Sequence, residues 1–161
     1  MMRVTLVALA LCASAVTALT AQAPAGRDPR FVGHWRLVSF MNIDDQGVAT
    51  PNRLAGGRIM YDAAGHMSAQ LTQADRPALP ASPTEAQRAA AYAGYVAYYG
   101  AYEIDAAARK VTHHVEGSTN PNWLKTALVR YFEFAADGTL KLSIRNEAGR
   151  TTGTLTWARI P

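Results

Sequence analysis

Short runs in which apolar and polar residues alternate, separated by turn-forming residues, fill the second half of this chain of 161 residues. A period of two is typical of β-strands that bury one face. The connections Ala136-Asp-Gly-Thr139 and Asn146-Glu-Ala-Gly149 are too short for a crossover, so the strands that they join must run antiparallel. The strands predicted in this half are 101–105, 110–117, 124–134, 139–145 and 151–160.

Three further strands are predicted in the first half of the chain, at 31–40, 58–61 and 66–71. Asp62-Ala-Ala-Gly65 joins the last two of them as a hairpin turn. About eight antiparallel strands can close into a barrel, which leaves no exposed strand edge. The interior of such a barrel is filled by side chains or holds one small ligand. The predicted fold is therefore an all-β, about eight-stranded antiparallel barrel.

One inserted helix is predicted between the two groups of strands. Ser82-Pro83-Thr84-Glu85 fits a capping box with proline at the first helical position, and an alanine-rich stretch follows. The pattern predicts a helix over 83–99 that ends at Gly100. Its spacing gathers tyrosines on one face, which either packs the helix onto the barrel or turns phenol groups toward the interior. The group consists of Tyr92, Tyr95 and Tyr99 on the face, Tyr98 beside it and Tyr102 just beyond.

The first 23 residues have the composition of a secretory signal peptide. Arg3 precedes an apolar stretch of about 15 residues and then small residues, with cleavage expected near Ala21–Ala23. The stretch is shorter than the roughly 20 residues of a spanning helix, and an uncleaved membrane anchor is the alternative. It contains Cys12, the one cysteine, so the mature chain has no disulfide. We expect a signal peptide (1–23), a linker (24–30) and a barrel domain (31–161) in a periplasmic or secreted protein.

The basic residues are scattered along the chain. There are 16 Lys and Arg against 12 Asp and Glu, a net charge of +4. Nucleic-acid binding favours a clustered basic stripe, so no nucleic-acid partner is expected. The sequence has no phosphate loop, dinucleotide fingerprint or Gly-x-Ser-x-Gly motif, so no cofactor is expected either. We expect a monomer that has no membrane span once the leader is removed.

Several short motifs follow one another in an order that carries a resemblance. They are Gly33-His-Trp35, Gly57-Arg-Ile-Met-Tyr61, Gly65-His-Met-Ser-Ala-Gln70, Tyr95-Val-Ala-Tyr98-Tyr99-Gly100-Ala-Tyr102-Glu103, Val111-Thr-His113-His114-Val-Glu116 and Pro121-Asn122-Trp123. Together they resemble the lipocalin-like domain family of bacteria and fungi, over residues 31–159. The resemblance implies a calycin-type barrel, in which Trp35 closes one end and Arg159 from the last strand lies across its ring. It implies no particular reaction.

The segment Thr112-His113-His114-Val115-Glu116 brings two histidines and a carboxylate into one strand. Alternation places His113 among apolar neighbours and puts His114 on the opposite face with Glu116. His113 therefore points inward if the interior is apolar, whereas the other two would line a polar interior. His114 and Glu116 are candidates for a catalytic acid–base pair. Structural hydrogen bonding is the alternative, and a metal site is not expected because His66 is the one obvious third ligand.

Arg130 shares an otherwise apolar strand face and must find a partner there. Either Glu116 pairs with it, or the carboxylate or enolate of a ligand does. Asn122 and Trp123 follow Pro121 in a loop that is expected at the barrel mouth, where an amide and an indole commonly contact ligands.

The leading hypothesis is an exported lipocalin-like barrel that binds a small, mostly apolar or amphipathic molecule in its interior. One alternative is a cofactor-free isomerase or cyclase that uses the His114–Glu116 pair, an analogy with other barrels of this kind. Another is a structural module of the cell envelope with a filled core. The candidate ligand contacts are Tyr95, Tyr99, Tyr102, His113, His114, Glu116, Asn122, Trp123 and Arg130.

Overall fold

The structure is a computed structural model that describes residues 26–161, so the predicted signal peptide, its cleavage site and Cys12 lie outside the described residues. Among residues 26–161, no helix has the length and apolar character needed to cross a bilayer. The elements in chain order are β1 (Gly33–Ile43), β2 (Ala49–Pro51), β3 (Gly56–Tyr61), β4 (His66–Thr72), α1 (Glu85–Ala93), β5 (Tyr95–Asp105), β6 (Lys110–Ser118), a 3₁₀ helix (Pro121–Trp123), β7 (Ala127–Phe134), β8 (Leu140–Arg145) and β9 (Thr151–Arg159).

The strands form a closed antiparallel barrel. Strands β3 to β9 pair in chain order, β1 pairs with β3 on one side and with β9 on the other, and the eight strands thus close on themselves. The three-residue β2 is an addition that pairs with the last residues of β1. The predicted eight-stranded barrel is confirmed. Because closure leaves no long open edge, the backbone of each strand finds partners on both sides.

Alternation along the strands separates a buried interior from an exposed wall. In β6, Val111, His113 and Val115 are buried, while the residues between them are more exposed. Apart from buried tyrosines, His113 is the one polar or charged residue in the buried class among residues 26–161. In β1 the alternation breaks at a bulge between Leu37 and Ser39, so Phe40 moves to the inward face and packs against the core.

Helix α1 is shorter than predicted, and the expected helix over 83–99 is wrong. It begins two residues later, where Thr84 and Gln87 form the capping box, and it ends at Gly94 instead of Gly100. None of its residues is buried, so no packing extends it. Residues 95–99 belong to β5, which pairs with β4 and β6, and the pairing of both strand edges overrides the helical spacing of the tyrosines.

Gly100 lies inside β5, beside a bulge where the register with β6 shifts. A Cβ atom at this position would run into the carbonyl oxygen of His114. The glycine that the sequence suggested as a helix end therefore allows a close approach of two strands.

One end of the barrel, which we call the closed end, is sealed by Trp35 and the residues before β1. Trp35 is almost fully buried and its indole N–H donates to the carbonyl of Phe31 (2.8 Å). Phe31 meets Tyr61, Phe132 and Phe134 edge-on, with ring centroids 5.0–5.2 Å apart. The opposite end, the open end, carries α1, the 3₁₀ helix and the loops that follow β1 and β8.

Candidate functional site

Three buried polar side chains form a chain of hydrogen bonds inside the barrel. The Tyr61 hydroxyl lies 2.8 Å from Nε2 of His113, and the Tyr98 hydroxyl lies 3.0 Å from Nδ1 of the same ring. The three residues come from β3, β5 and β6, and each points inward by the alternation of its strand. The imidazole is thus held at both nitrogens, which fixes its orientation.

Burial decides the charge of these groups. It holds the pKa of His113 well below the ordinary value of 6.5, and the positive charges of Arg130 and His114 act in the same direction. Burial also raises the pKa of Tyr61 well above its ordinary value. His113 is therefore neutral near pH 7, with one ring nitrogen donating and the other accepting.

Arg130 lies on the inward face of β7, between Leu128 and Phe132, with Val111 of β6 as its cross-strand partner. One nitrogen of its guanidinium, Nη1, donates to the carbonyl of Val129 (2.9 Å). The positive charge of Arg130 lowers the pKa of the Tyr98 phenol, against the larger opposing effect of burial. Arg130 thus adds a half-buried cation to the end of the Tyr61–His113–Tyr98 chain.

The expected pairing of Arg130 with Glu116 is not formed. Glu116 is exposed, on the outward face of β6. Within residues 26–161, none of the ion pairs between side chains involves Arg130. The alternation of β6 explains the difference, because a side chain at 116 points away from the interior when its neighbour Val115 points inward.

Trp123 covers Tyr98 from the open end. The two rings meet edge-on, with centroids 5.7 Å apart, and Trp123 packs against the core while remaining half-buried. Asn122, its neighbour, is exposed, and its backbone N–H bonds to the side chain of Asn120. Both residues lie in the 3₁₀ helix at the open end, but only Trp123 packs against the interior.

The predicted tyrosine group is divided between the two faces of the wall. Tyr102 points inward and donates to the carbonyl of Asp62 (2.8 Å). Tyr99 points outward and is 57% exposed, with its ring over Gly117. Tyr95 is half-buried under the guanidinium of Arg76, and Tyr92, on α1, is exposed. The interpretation of these residues as one helical face is wrong, because strand alternation and not helical spacing decides where they point.

His114 and Glu116 both lie on the outer wall, so the candidate acid–base pair does not face the interior. His114 Nε2 instead lies 3.2 Å from the Glu103 carboxylate of β5, and both side chains are well exposed. With Lys125, His114 and Glu116 line an outer cleft of about 420 Å³. His66 bonds to Asp62 in its own hairpin, and residues 26–161 contain no cluster of three possible metal-ligating side chains.

Sequence reasoning did not select Tyr61 or Tyr98 as site residues. A signal for both was present, because each alternates with apolar inward positions, and a buried phenol needs a partner for its hydroxyl. Their shared partner, His113, points inward, which is one of the two orientations that the sequence left open.

The comparison with protein families agrees with this architecture. The model of the lipocalin-like domain family matches residues 32–160. No curated protein matches the chain. Among solved structures, a redesigned β-barrel is similar at 8% identity, with 82% of this chain and 93% of the other covered and a TM-score of 0.43. Since the family model covers almost the whole described part, the chain belongs to the lipocalin-like domain family.

Proposed function

We propose that this protein is an exported barrel that binds a small, mostly apolar molecule between its inward-facing side chains at the open end. The observation that carries the proposal is the inward cation. Arg130 and the Tyr98 hydroxyl add polar donors to an interior that is otherwise mostly apolar. A few polar groups in an apolar site are typical of small-molecule binding, because they orient a ligand that apolar contact holds.

The two ends of the barrel differ in a way that favours entry from one side. At the closed end Phe31, Trp35 and Trp157 are fully or almost fully buried. At the open end the residues that pack against the core are only partly buried, among them Trp123 and Val96. We propose that the ligand displaces Trp123 from Tyr98 as it enters, because the 3₁₀ helix that carries Trp123 spans three residues only.

The two alternative functions, an enzyme and a structural module with a filled core, differ from ligand binding in what they predict for the interior. The acid–base pair of the enzymatic hypothesis, His114 and Glu116, lies on the outer wall and does not reach a molecule bound in the interior. A filled structural core is the remaining competitor. It predicts that Trp123 stays in place and that the interior admits no probe.

Binding is tested by titrating the protein with an environment-sensitive apolar dye, Nile red, while intrinsic fluorescence is followed. Trp35 and Trp157 lie at the closed end, so a change on binding reports mainly on Trp123. We expect saturable dye uptake with a tryptophan response that Trp123→Phe removes. Tyr99→Phe, on the outer wall, is the matched control and should change neither signal. Saturable uptake should be absent if the core is filled.

Export is a separate part of the proposal, supported by the composition of residues 1–23. Export and cleavage are tested by expressing the full chain in a bacterial host and measuring the molecular mass of the protein recovered outside the cytoplasm. We expect loss of the residues up to the Ala21–Ala23 region. Recovery of an intact, membrane-bound chain would favour the uncleaved anchor.

A further inference from the structure

The Tyr61–His113–Tyr98 chain carries one proton more than its two hydrogen bonds use. Neutral His113 carries one ring proton and each phenol carries one hydroxyl proton, while two hydrogen bonds join the three groups. Each bond uses one proton. One hydroxyl proton therefore remains, at the Tyr61 end or at the Tyr98 end, according to which ring nitrogen of His113 is protonated.

The surroundings of the two ends favour Tyr98 as the residue that keeps the unused proton. Tyr61 is 1% exposed, and its hydroxyl makes one hydrogen bond within residues 26–161, the bond to His113. An unused proton there would be a buried donor that a ligand entering from the open end does not reach, which is costly. Tyr98 is also buried (7% exposed), but it lies under Trp123 at the open end, where an entering ligand can accept its proton. With the ring proton on Nδ1, Tyr61 donates to Nε2, His113 donates to the Tyr98 oxygen, and the Tyr98 proton is available beside Arg130.

The Tyr98 hydroxyl and the half-buried Arg130 guanidinium, on the inward face of β7, then both add donors to the interior. Arginine has five N–H groups and no acceptor, and only Nη1 is used by the carbonyl of Val129. The carboxylates of β5, β6 and β7 are all exposed, namely Glu103, Asp105, Glu116 and Glu133. A site with two donors, a positive charge and no acidic side chain is complementary to an anion.

We propose that the ligand is an amphipathic monoanion whose carboxylate or enolate accepts hydrogen bonds from Arg130 and Tyr98, with His113 as a positioning residue that keeps Tyr98 a donor. This inference rests on the proposed binding function. The apolar part of the ligand lies toward the open end, against partly buried side chains that pack on the core there. These are Phe40, Leu54, Val96, Leu128 and Ile144.

The charge of the ligand is tested with two probes that share one apolar body, 11-(dansylamino)undecanoic acid and its methyl ester. We expect the acid to bind about tenfold or more tightly than the ester, since a hydrogen bond to a charged group is worth about one factor of ten or more. Arg130→Gln should abolish this preference, because it weakens binding of the acid far more than binding of the ester. Tyr98→Phe should reduce the preference for the same reason.

Matched variants separate the site from general effects of charge and folding. Arg58→Gln removes the same charge from the exposed outer wall of β3 and should keep the full preference for the acid. Arg130→Lys keeps the charge and loses the planar donor geometry, so an intermediate preference is expected. The circular dichroism spectrum and the urea unfolding transition show whether each variant has folded.

The possible results distinguish the two proposals. Equal binding of acid and ester by the unaltered protein would overturn the anionic ligand and leave the binding function standing. Binding of neither probe, together with no uptake of Nile red, would overturn both. The role of His113 has its own measurement, the ring ¹³C chemical shifts in the acid complex, which distinguish the two tautomers. We expect the Nδ1–H form, and the Nε2–H form would overturn the positioning role.

Discussion

The guanidinium carbon of Arg159 lies 4.2 Å from the ring centroid of Trp35, across the joint between the last strand and the first. The same guanidinium donates to the carbonyl of Val32 (2.6 Å) and to that of Arg30 (2.5 Å). Gly33 adopts a φ of +132°, and a Cβ atom there would lie 2.5 Å from Arg159 Nη1. The Gly-x-Trp motif therefore provides the space in which the arginine reaches the indole and the backbone.

Replacing Arg159 with alanine should lower the free energy of unfolding by about 1–3 kcal/mol, since it removes one exposed cation–π contact and two hydrogen bonds. Urea unfolding followed by tryptophan fluorescence measures the change. Arg145→Ala is the matched control, because Arg145 stacks on Tyr131 (3.8 Å) on the outer wall. It should cost no more than about 1 kcal/mol. Equal losses of stability in the two variants would show that the Arg159 contacts between β9 and β1 stabilise the fold no more than an outer-wall contact does.

Removing the Tyr61 hydroxyl should destabilise the fold although the ring remains. Tyr61→Phe leaves Nε2 of buried His113 without its partner, and an unpaired buried polar group costs about 1–3 kcal/mol. Tyr99→Phe removes the same atom from an exposed ring and should change the stability by less than about 0.5 kcal/mol. Thermal unfolding of both variants compares the two hydroxyls. If Tyr61→Phe leaves the stability unchanged, the hydrogen bond makes no net contribution to the free energy of unfolding.

The free energy of unfolding should decrease as the pH is lowered below 6.5, because of His113. The unfolded residue takes up a proton near the ordinary pKa of 6.5, whereas the pKa of the folded residue lies well below that value because of burial. Above pH 6.5 both states are neutral and the residue contributes no slope. Below it, the unfolded state binds more protons, so the free energy of unfolding decreases by at most about 1.4 kcal/mol per pH unit until the folded pKa is reached.

Urea midpoints between pH 7.5 and 5 check this slope, with His113→Gln as the comparison. The variant should be less stable overall and should show a flatter profile in this window. Asp28, Asp62 and Asp137 also contribute a dependence on pH, because their pKa values are lowered by hydrogen bonds. Their contribution is lost at lower pH, around and below the ordinary value of 3.8. Identical profiles for the two proteins would contradict a buried neutral His113.

Gly100→Ala should be more damaging than a glycine substitution in an open turn. The added methyl group would meet the His114 carbonyl, part of the backbone that cannot move away cheaply. We expect a loss of about 3 kcal/mol or more, or failure to fold. Gly138→Ala is the comparison, since nothing lies within 4 Å of its Cβ position and only its φ of +81° is unfavourable. That variant should lose about 1–2 kcal/mol, measured by the same urea titration.

The sequence was sufficient for the strands and their closure because both depend on local patterns. Alternation marked seven of the eight barrel strands close to their observed bounds, and short turns fixed the direction of their neighbours. It failed at 95–99, where alanines and tyrosines have a helical spacing as well as an alternating one. Pairing with both neighbouring strands decides between the two, and this pairing is not visible in the segment itself.

The site was harder to predict than the fold because it joins distant strands. Tyr61 and Tyr98 meet His113 only after β3, β5 and β6 curve around one interior. The pairing of His114 with Glu116 was plausible from their spacing, since both lie on one face of a strand. Which face was the inner one depended on the apolar residues at 111 and 115, and these were the better indicator.

The contact between β1 and β9 also determines when this protein can fold. The two strands that close the barrel, β1 and β9, lie more than a hundred residues apart in the sequence. Their pairing is therefore among the most distant in sequence and among the slowest to form during folding. Until residues 151–159 are available to pair, β1 and β8 each present an unpaired row of backbone groups. A chain truncated at residue 150 should therefore aggregate through these exposed edges rather than settle into a smaller stable form.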